Sequence, residues 1–298
     1  MWATRETFAG ADMRVGWWRP GRGARHPAVL FVIGATPLGI DFPELRVAAE
    51  AFARAGLMVM IPEFPFLIEE RLDTGASAQI AAAFRALRAD PAAREPVGAF
   101  GFSIGGGILF AAAGTDPALR AAPYLATVGA YFDIYTYMAS VLGRAQQRAS
   151  GRVAWRPSPD VPGRTAGAAR SIAADRDEQE ALSSALAATS YDDALARLNA
   201  LPVSLRLRLD ALSPSRVWER IGAPVFWLHD ANDPYVPVAE AEAARAARLS
   251  ARLTLLVPRL LQHAVPVSDL ARRAGPRFWL GELRALLRFA RSVLRAAA

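Results

Sequence analysis

Three uninterrupted apolar runs in the first third of the chain, separated by helical patterns, constrain its fold more than any other feature. Ala28-Val29-Leu30-Phe31-Val32-Ile33, Leu57-Met58-Val59-Met60-Ile61 and the stretch from Val97 to Phe102 contain no charged or polar side chain. A strand writes such a run when both its faces are buried, as happens in a parallel sheet covered by helices on each side. The stretches between them supply those helices. Asp41 reads as an N-cap with Glu44 three residues later, and Leu45, Ala48, Ala49 and Phe52 share one face until Gly56. Ile80, Phe84 and Leu87 mark a second helix, stopped before Pro91, and Ile104 to Ala113 forms a third. The expected fold class is therefore α/β, a mostly parallel central sheet with right-handed crossovers. Met13 to Trp18 is expected to join it as an antiparallel edge strand.

The alternation stops after a further strand at Tyr124–Ala130 and resumes late in the chain. There the pattern gives a strand at Val225–His229, a helix at Ala239–Leu249, a strand at Leu253–Val257 and a long C-terminal helix. Residues 1–133 and 220–298 thus read as one core, and 134–219 as an inserted helical lid. Within the lid, residues 150–170 hold Pro157, Pro159, Pro162 and Gly163 among arginines and show no periodicity, which predicts a loop.

Composition removes whole classes of chemistry. The 298 residues include no cysteine, and all 35 basic residues are arginine. A thiol nucleophile, a Schiff-base lysine, a Ser-x-x-Lys acylation site, a P-loop and Cys-ligated zinc each need a residue the chain lacks. The net charge of +7 is spread along the chain and accompanies no nucleic-acid-binding motif, so no nucleic-acid partner is expected. No apolar run reaches the ~20 residues of a membrane span. With no signal-peptide pattern at the N-terminus, the expected location is cytoplasmic. On the C-terminal helix Arg284, Arg288, Arg291 and Arg295 lie opposite Leu283, Leu286, Leu287 and Leu294. A helix docked by its apolar face is the expectation, and peripheral membrane contact the alternative. Oligomeric state is not legible.

Gly101-Phe102-Ser103-Ile104-Gly105 is a G-x-S-x-G sequence set between an apolar strand and a helix. A serine in that context sits on a tight turn with its hydroxyl exposed, and the turn tolerates little side-chain bulk on either flank. The amide of Ile104 then points to where an oxyanion would develop, at a helix N-terminus, where negative charge is favoured. Gly106 and Gly107 are expected to serve close helix–sheet packing, since no phosphate-binding glycine motif fits them. Three histidines are available. His26 precedes the first buried strand and is expected at the surface. His229 lies next to the acidic loop and is expected to support it locally. His263 follows the last strand, in a loop. A metal pair from His229 and Asp233 lacks further ligands at suitable spacing, so no metal is expected.

Together with Leu228-His229-Asp230-Ala231-Asn232-Asp233-Pro234-Tyr235-Val236-Pro237, the serine motif and the late histidine resemble the α/β-hydrolase superfamily. The closest likeness is to its dienelactone-hydrolase-like and carboxylesterase-like branch, over residues 12–133 and 213–298. The resemblance implies a catalytic triad of Ser103, Asp233 and His263. Asp233 occupies the acid position of a pattern close to H-G-x-x-D-x-x-V-P, while Asp230 stands where glycine is usual, so either aspartate can be the acid. It also implies an oxyanion hole from the amides of Ile104 and Ala35, with Thr36 a competing donor. The expected activity is hydrolysis of carboxylic esters of small molecules through an acyl-enzyme, with no cofactor. A serine peptidase or acyltransferase with the same residues is one alternative, and a non-enzymatic binding protein on the same scaffold another. Tyr131, Phe132 and Asp133 are candidates for lining the acyl pocket or for packing under the lid.

Overall fold

In the computed structural model, which describes residues 1–21, 23–247, 252–263 and 274–297, the apolar runs become neighbouring strands of one sheet. Its eight strands are β1 (Trp2–Phe8), β2 (Ala11–Trp18), β3 (His26–Val32), β4 (Met58–Pro62), β5 (Ala93–Phe102), β6 (Leu125–Val128), β9 (Val225–Leu228) and β10 (Leu253–Leu256), in the order β1-β2-β4-β3-β5-β6-β9-β10. From β4 to β10 every pairing is parallel, while β2 runs antiparallel to β4 and β1 antiparallel to β2. All seven residues of β3 and all five of β4 are buried. Helices α1 (Pro43–Arg54), α2 (Pro65–Ile68), α3 (Ala76–Ala89), α4 (Ser103–Thr115) and α5 (Pro117–Arg120) lie between the early strands.

Between β6 and β9 the chain leaves the sheet. This insertion holds α6 (Ile134–Gly143), a hairpin of β7 (Ala145–Arg148) and β8 (Gly151–Ala154), then α7 (Val161–Arg170), α8 (Arg176–Leu186), α9 (Tyr191–Asn199) and α10 (Val203–Asp210). Helix α11 (Ala239–Ala246) follows β9, and α12 (Pro276–Ala296) closes the chain.

Five sequence expectations need correction. Met13–Trp18 does form a strand, but it is not the edge, because β1 lies outside it. Asp41 does not cap α1. Phe42 takes the N-cap position with Pro43 in the first turn, and the Asp41 carboxylate pairs with Arg14 at 2.7 Å. Proline is suited to that position, where its missing N–H would have no acceptor. Residues 150–170 are not a loop. They hold β8 and α7, joined by a connection at 155–160, with Pro162 in the first turn of α7. His26 is buried, since β3 begins with it and its amide bonds to the Ala92 carbonyl. Finally, α12 does not dock by its leucine face. Of the four leucines only Leu286 packs on the core, beside the buried Phe289 and Val293, while Leu283, Leu287 and Leu294 are exposed. The expected end of α11 at Leu249 lies outside the described residues. Among those described, no helix is long and apolar enough to cross a membrane.

Candidate active site

The registers put the C-terminal ends of five strands side by side. Val32 pairs with Gly101, Phe102 with Val128, Val128 with Leu228, and Leu228 with Leu256. The chain crosses from β3 to β4 on one side and to β5 on the other, so the loops after β3 and β5 open a crevice at the point of reversal.

Ser103 stands in that crevice, at the junction of β5 and α4. Its φ is +51°, a left-handed conformation that costs a non-glycine residue roughly 1–2 kcal/mol. The surrounding glycines make the turn possible. A Cβ at Gly105 would overlap the Ile33 carbonyl, and one at Gly101 would overlap the backbone of Gly106. Gly106 lies against Thr127 and Gly107 against the Tyr131 ring, so both allow the close helix–sheet approach expected of them. Thr127 Oγ1 donates to the Gly101 carbonyl at 2.9 Å and holds the strand end in place.

The acidic loop follows β9. Asp233 is fully buried; its Oδ1 accepts the amides of Tyr235 at 2.8 Å and Val236 at 3.0 Å, and its Oδ2 lies 2.7 Å from His263 Nδ1. Burial alone would raise this carboxyl, but the adjoining His263, with His229 and the Val236 amide, holds it below the ordinary carboxylate value. Of the two aspartates, Asp233 therefore meets the histidine. Asp230 accepts the amides of Asn232 and Leu261 at 2.8 and 2.9 Å, tying the acidic loop to the segment that carries His263. Burial pushes it up to about 6.

His229 is buried beneath them, with both ring nitrogens occupied. Trp227 Nε1 donates to Nδ1 at 3.3 Å, which leaves Nε2 to donate to the Val236 carbonyl at 2.9 Å. Burial lowers its pKa and keeps the ring neutral. It thus braces the loop from below, without a nitrogen left for a metal.

The loop after β3 lies over the serine. A Cβ at Gly34 would be 3.1 Å from Ser103 Cβ. Thr36 is not available as a donor, because its amide already bonds to the Leu67 carbonyl at 3.1 Å. The Ala35 amide has no acceptor among the described residues. Ile104 lies in the first turn of α4, where backbone N–H groups have no intrahelical acceptor.

Ser103, Ile104, Gly34, Ala35 and His263 line one cavity of about 420 Å³. Among the described residues no hydrogen bond joins the Ser103 hydroxyl to His263. The facing wall comes from the insertion through Ile134, Tyr137, Met138, Val161, Thr165 and Ala168, and Phe42, Leu45, Phe66 and Leu72 extend the apolar lining. The cationic liners are paired, Arg164 with Glu70 and Arg71 with Glu69 and Asp73. Tyr131 lines the cavity with its hydroxyl on the Leu212 carbonyl at 2.6 Å. Phe132 and Asp133 do not, for Phe132 packs on Trp218 and Asp133 caps α6.

Four further residues shape the site without any local motif. Trp155 donates from Nε1 to the Asp233 carbonyl at 2.8 Å. Gly129, at φ +63°, lets the backbone pass directly behind the His263–Asp233 pair. Glu240 accepts the amides of Phe132 and Asp133, both at 2.9 Å, and Thr136 Oγ1 at 2.6 Å, which anchors the start of the insertion. Arg164 donates to the Ala35 carbonyl at 2.7 Å. Trp155 is the one large aromatic within the Pro- and Arg-rich stretch, and that was a signal of burial.

No protein-family model matches the chain, and no curated protein matches it in sequence. Solved structures do match. A 2,6-dihydroxy-pseudo-oxynicotine hydrolase superposes with a TM-score of 0.59 at 18% identity, over 95% of this chain and 66% of the other. The acylaminoacyl peptidase of Pyrococcus horikoshii superposes at 0.55 and 12%, over 96% of this chain and 40% of the other. The esterase domain of a Rhodothermus marinus protein superposes at 0.52 and 17%, over 97% and 99%. The chain therefore spans about two thirds of the first of these and less than half of the second. With its strand order and the turn at Ser103, these likenesses show that the chain has the α/β-hydrolase fold.

Proposed function

We propose that this hydrolase-fold chain is a serine ester hydrolase in which Ser103, His263 and Asp233 act together. The observation that carries the reading is the 2.7 Å contact between His263 Nδ1 and Asp233 Oδ2, in a cavity shared with a serine held left-handed at a helix N-terminus. Ser103 Oγ attacks the ester carbonyl while His263 Nε2 takes its proton. Asp233 accepts a hydrogen bond from the Nδ1–H and stabilises the imidazolium. The amides of Ile104 and Ala35 hold the oxyanion, His263 returns the proton to the departing alcohol, and water releases the acid by the same steps reversed. Apolar walls and fully paired cations suit a neutral, lipophilic substrate, and the insertion acts as the lid over it.

A fluorophosphonate probe should label Ser103 alone, and Ser103→Ala should lower ester turnover by several orders of magnitude, leaving ~10³–10⁴-fold over water. A label mapped elsewhere, or a folded Ser103→Ala protein with unchanged turnover, removes the reading. The likeness to an acylaminoacyl peptidase supports a second one, amide cleavage by the same residues. Profiling esters of graded acyl length against amides and peptides separates the two.

A further inference from the structure

The insertion reaches the oxyanion loop through one side chain. Arg164, on α7, sends Nη2 to the Ala35 carbonyl at 2.7 Å. The same guanidinium grips Glu70 with both a 3.0 Å bond from Nε and a 2.9 Å bond from Nη2, and its Nη1 reaches Asp160 at 3.3 Å. Glu70 is itself held left-handed at φ +53°, a strained conformation for a non-glycine residue. The Ala35 carbonyl and the Thr36 N–H belong to one peptide plane. That plane is therefore pinned at both ends, by Arg164 on its oxygen and by the Leu67 carbonyl on its N–H. The preceding residue is Gly34, whose backbone has the widest freedom of any residue and fixes nothing on its own side. The direction of the Ala35 N–H thus depends on the plane that follows it.

We propose that Arg164 is a positioning residue that sets the Ala35 amide for the oxyanion, so that the loop takes its working geometry only when α7 is docked. The proposal rests on the ester-hydrolase reading of Ser103. It gives α7 two tasks at once, because Val161, Thr165 and Ala168 of the same helix form a wall of the cavity. A substrate that packs against that wall stabilises the docked helix and hence the oxyanion donor. Acyl or alcohol groups that fill the cavity should accordingly raise kcat and not merely lower KM.

The test uses Arg164→Met and Arg164→Lys in the full chain, with a short acetate ester that barely touches α7. Losing an oxyanion donor outright costs about 10²–10³-fold in kcat, so loosening one should cost Arg164→Met about 10–100-fold, with KM changed less than about 3-fold. Arg164→Lys should recover only part of this, because an ammonium is a point donor that cannot grip Glu70 and Ala35 together. The pH profile of kcat should not move. Independently of turnover, the Thr36 amide, which bonds to the Leu67 carbonyl, should exchange with solvent about 10-fold faster in Arg164→Met. Wild-type kcat and exchange in Arg164→Met, or a loss of kcat that tracks loss of folded protein and is fully restored by lysine, overturns the proposal. A wild-type chain that neither turns over esters nor labels at Ser103 defeats the hydrolase reading instead, and the exchange measurement still decides whether Arg164 holds the loop.

Discussion

Gly129→Ala tests whether the His263–Asp233 geometry matters for turnover. A Cβ placed on Gly129 would stand 2.7 Å from both Cε1 and Nδ1 of His263 and 3.1 Å from Asp233 Oδ2. Carbon atoms settle at about 3.5–4.0 Å, so the imidazole must retreat by roughly 1 Å. A misplacement of that size costs on the order of 10²-fold in rate. The residue also sits at φ +63°, where alanine loses about 1–2 kcal/mol, or about 2–8 °C in Tm for a chain of this size. Gly10→Ala separates the two effects. Its φ is +82°, yet nothing lies within 4 Å of the added methyl, so it carries the backbone strain alone. The expectation is a similar fall in Tm for both variants but a ~10²-fold fall in kcat only for Gly129→Ala. Proton NMR adds a reading independent of substrate, since a downfield resonance from the His263 Nδ1–H should weaken or shift in Gly129→Ala alone. Equal kcat in the two variants at equal Tm would refute the reasoning.

His263→Ala should be as damaging as Ser103→Ala, with the double variant no worse, because groups that act as a unit are not additive. His229→Ala should instead lose about 2–4 kcal/mol of stability, from a cavity and from the unpaired Trp227 and Val236 groups, while retaining most of its kcat; an inactive but fully stable His229→Ala contradicts this. Asp233→Asn should lower kcat by up to ~10⁴-fold and Asp230→Asn far less, which steady-state kinetics on purified folded protein will show. Glu240 is pushed from 4.5 up to about 7 by burial. The folded state thus binds its proton more tightly than the unfolded chain, and the stability it contributes below about pH 4.5 is lost as pH rises to about 7, at most ~3 kcal/mol. Urea midpoints at pH 5 and pH 8 should differ by less in Glu240→Gln than in wild type, and an unchanged difference would rule the assignment out.

The core was legible because a strand covered on both faces leaves no choice of residue. Ala28–Ile33 could hardly be anything else. An edge strand leaves half its positions to solvent, and β1, with Arg5 and Glu6 among its exposed and half-exposed residues, carried no such mark. Asp41 looked like a cap because the spacing to Glu44 fits one, but Pro43 sets where the helix can begin and Arg14, 27 residues earlier, takes the carboxylate. The stretch 150–170 misled for a related reason. Its order comes from distant partners, with Arg152 stacked 3.6 Å over the Tyr191 ring and Trp155 bonded 78 residues away. The same division runs through the site. A serine turn is a local event written in five residues, and the order of acid and histidine can be read along the chain. The Arg164 bond to Ala35 spans 129 residues, and no pattern of neighbours announces it.

The glycines of α4 have a consequence for how such a chain can change. Beneath Ser103 the turn packs backbone against backbone, where even a methyl group at Gly105 would strike the Ile33 carbonyl. No side chain can be added at Gly105 without displacing the turn that holds Ser103. The opposite side is bounded by side chains such as Met138, Val161 and Ala168, each of which can be trimmed or extended singly. Drift toward new substrates, in nature or under laboratory selection, should therefore accumulate at lining side chains such as those of α6 and α7 and leave the glycines of the turn untouched. Arg164 is the exception on that adaptable side, a position where a change meant to alter preference would also slow every substrate.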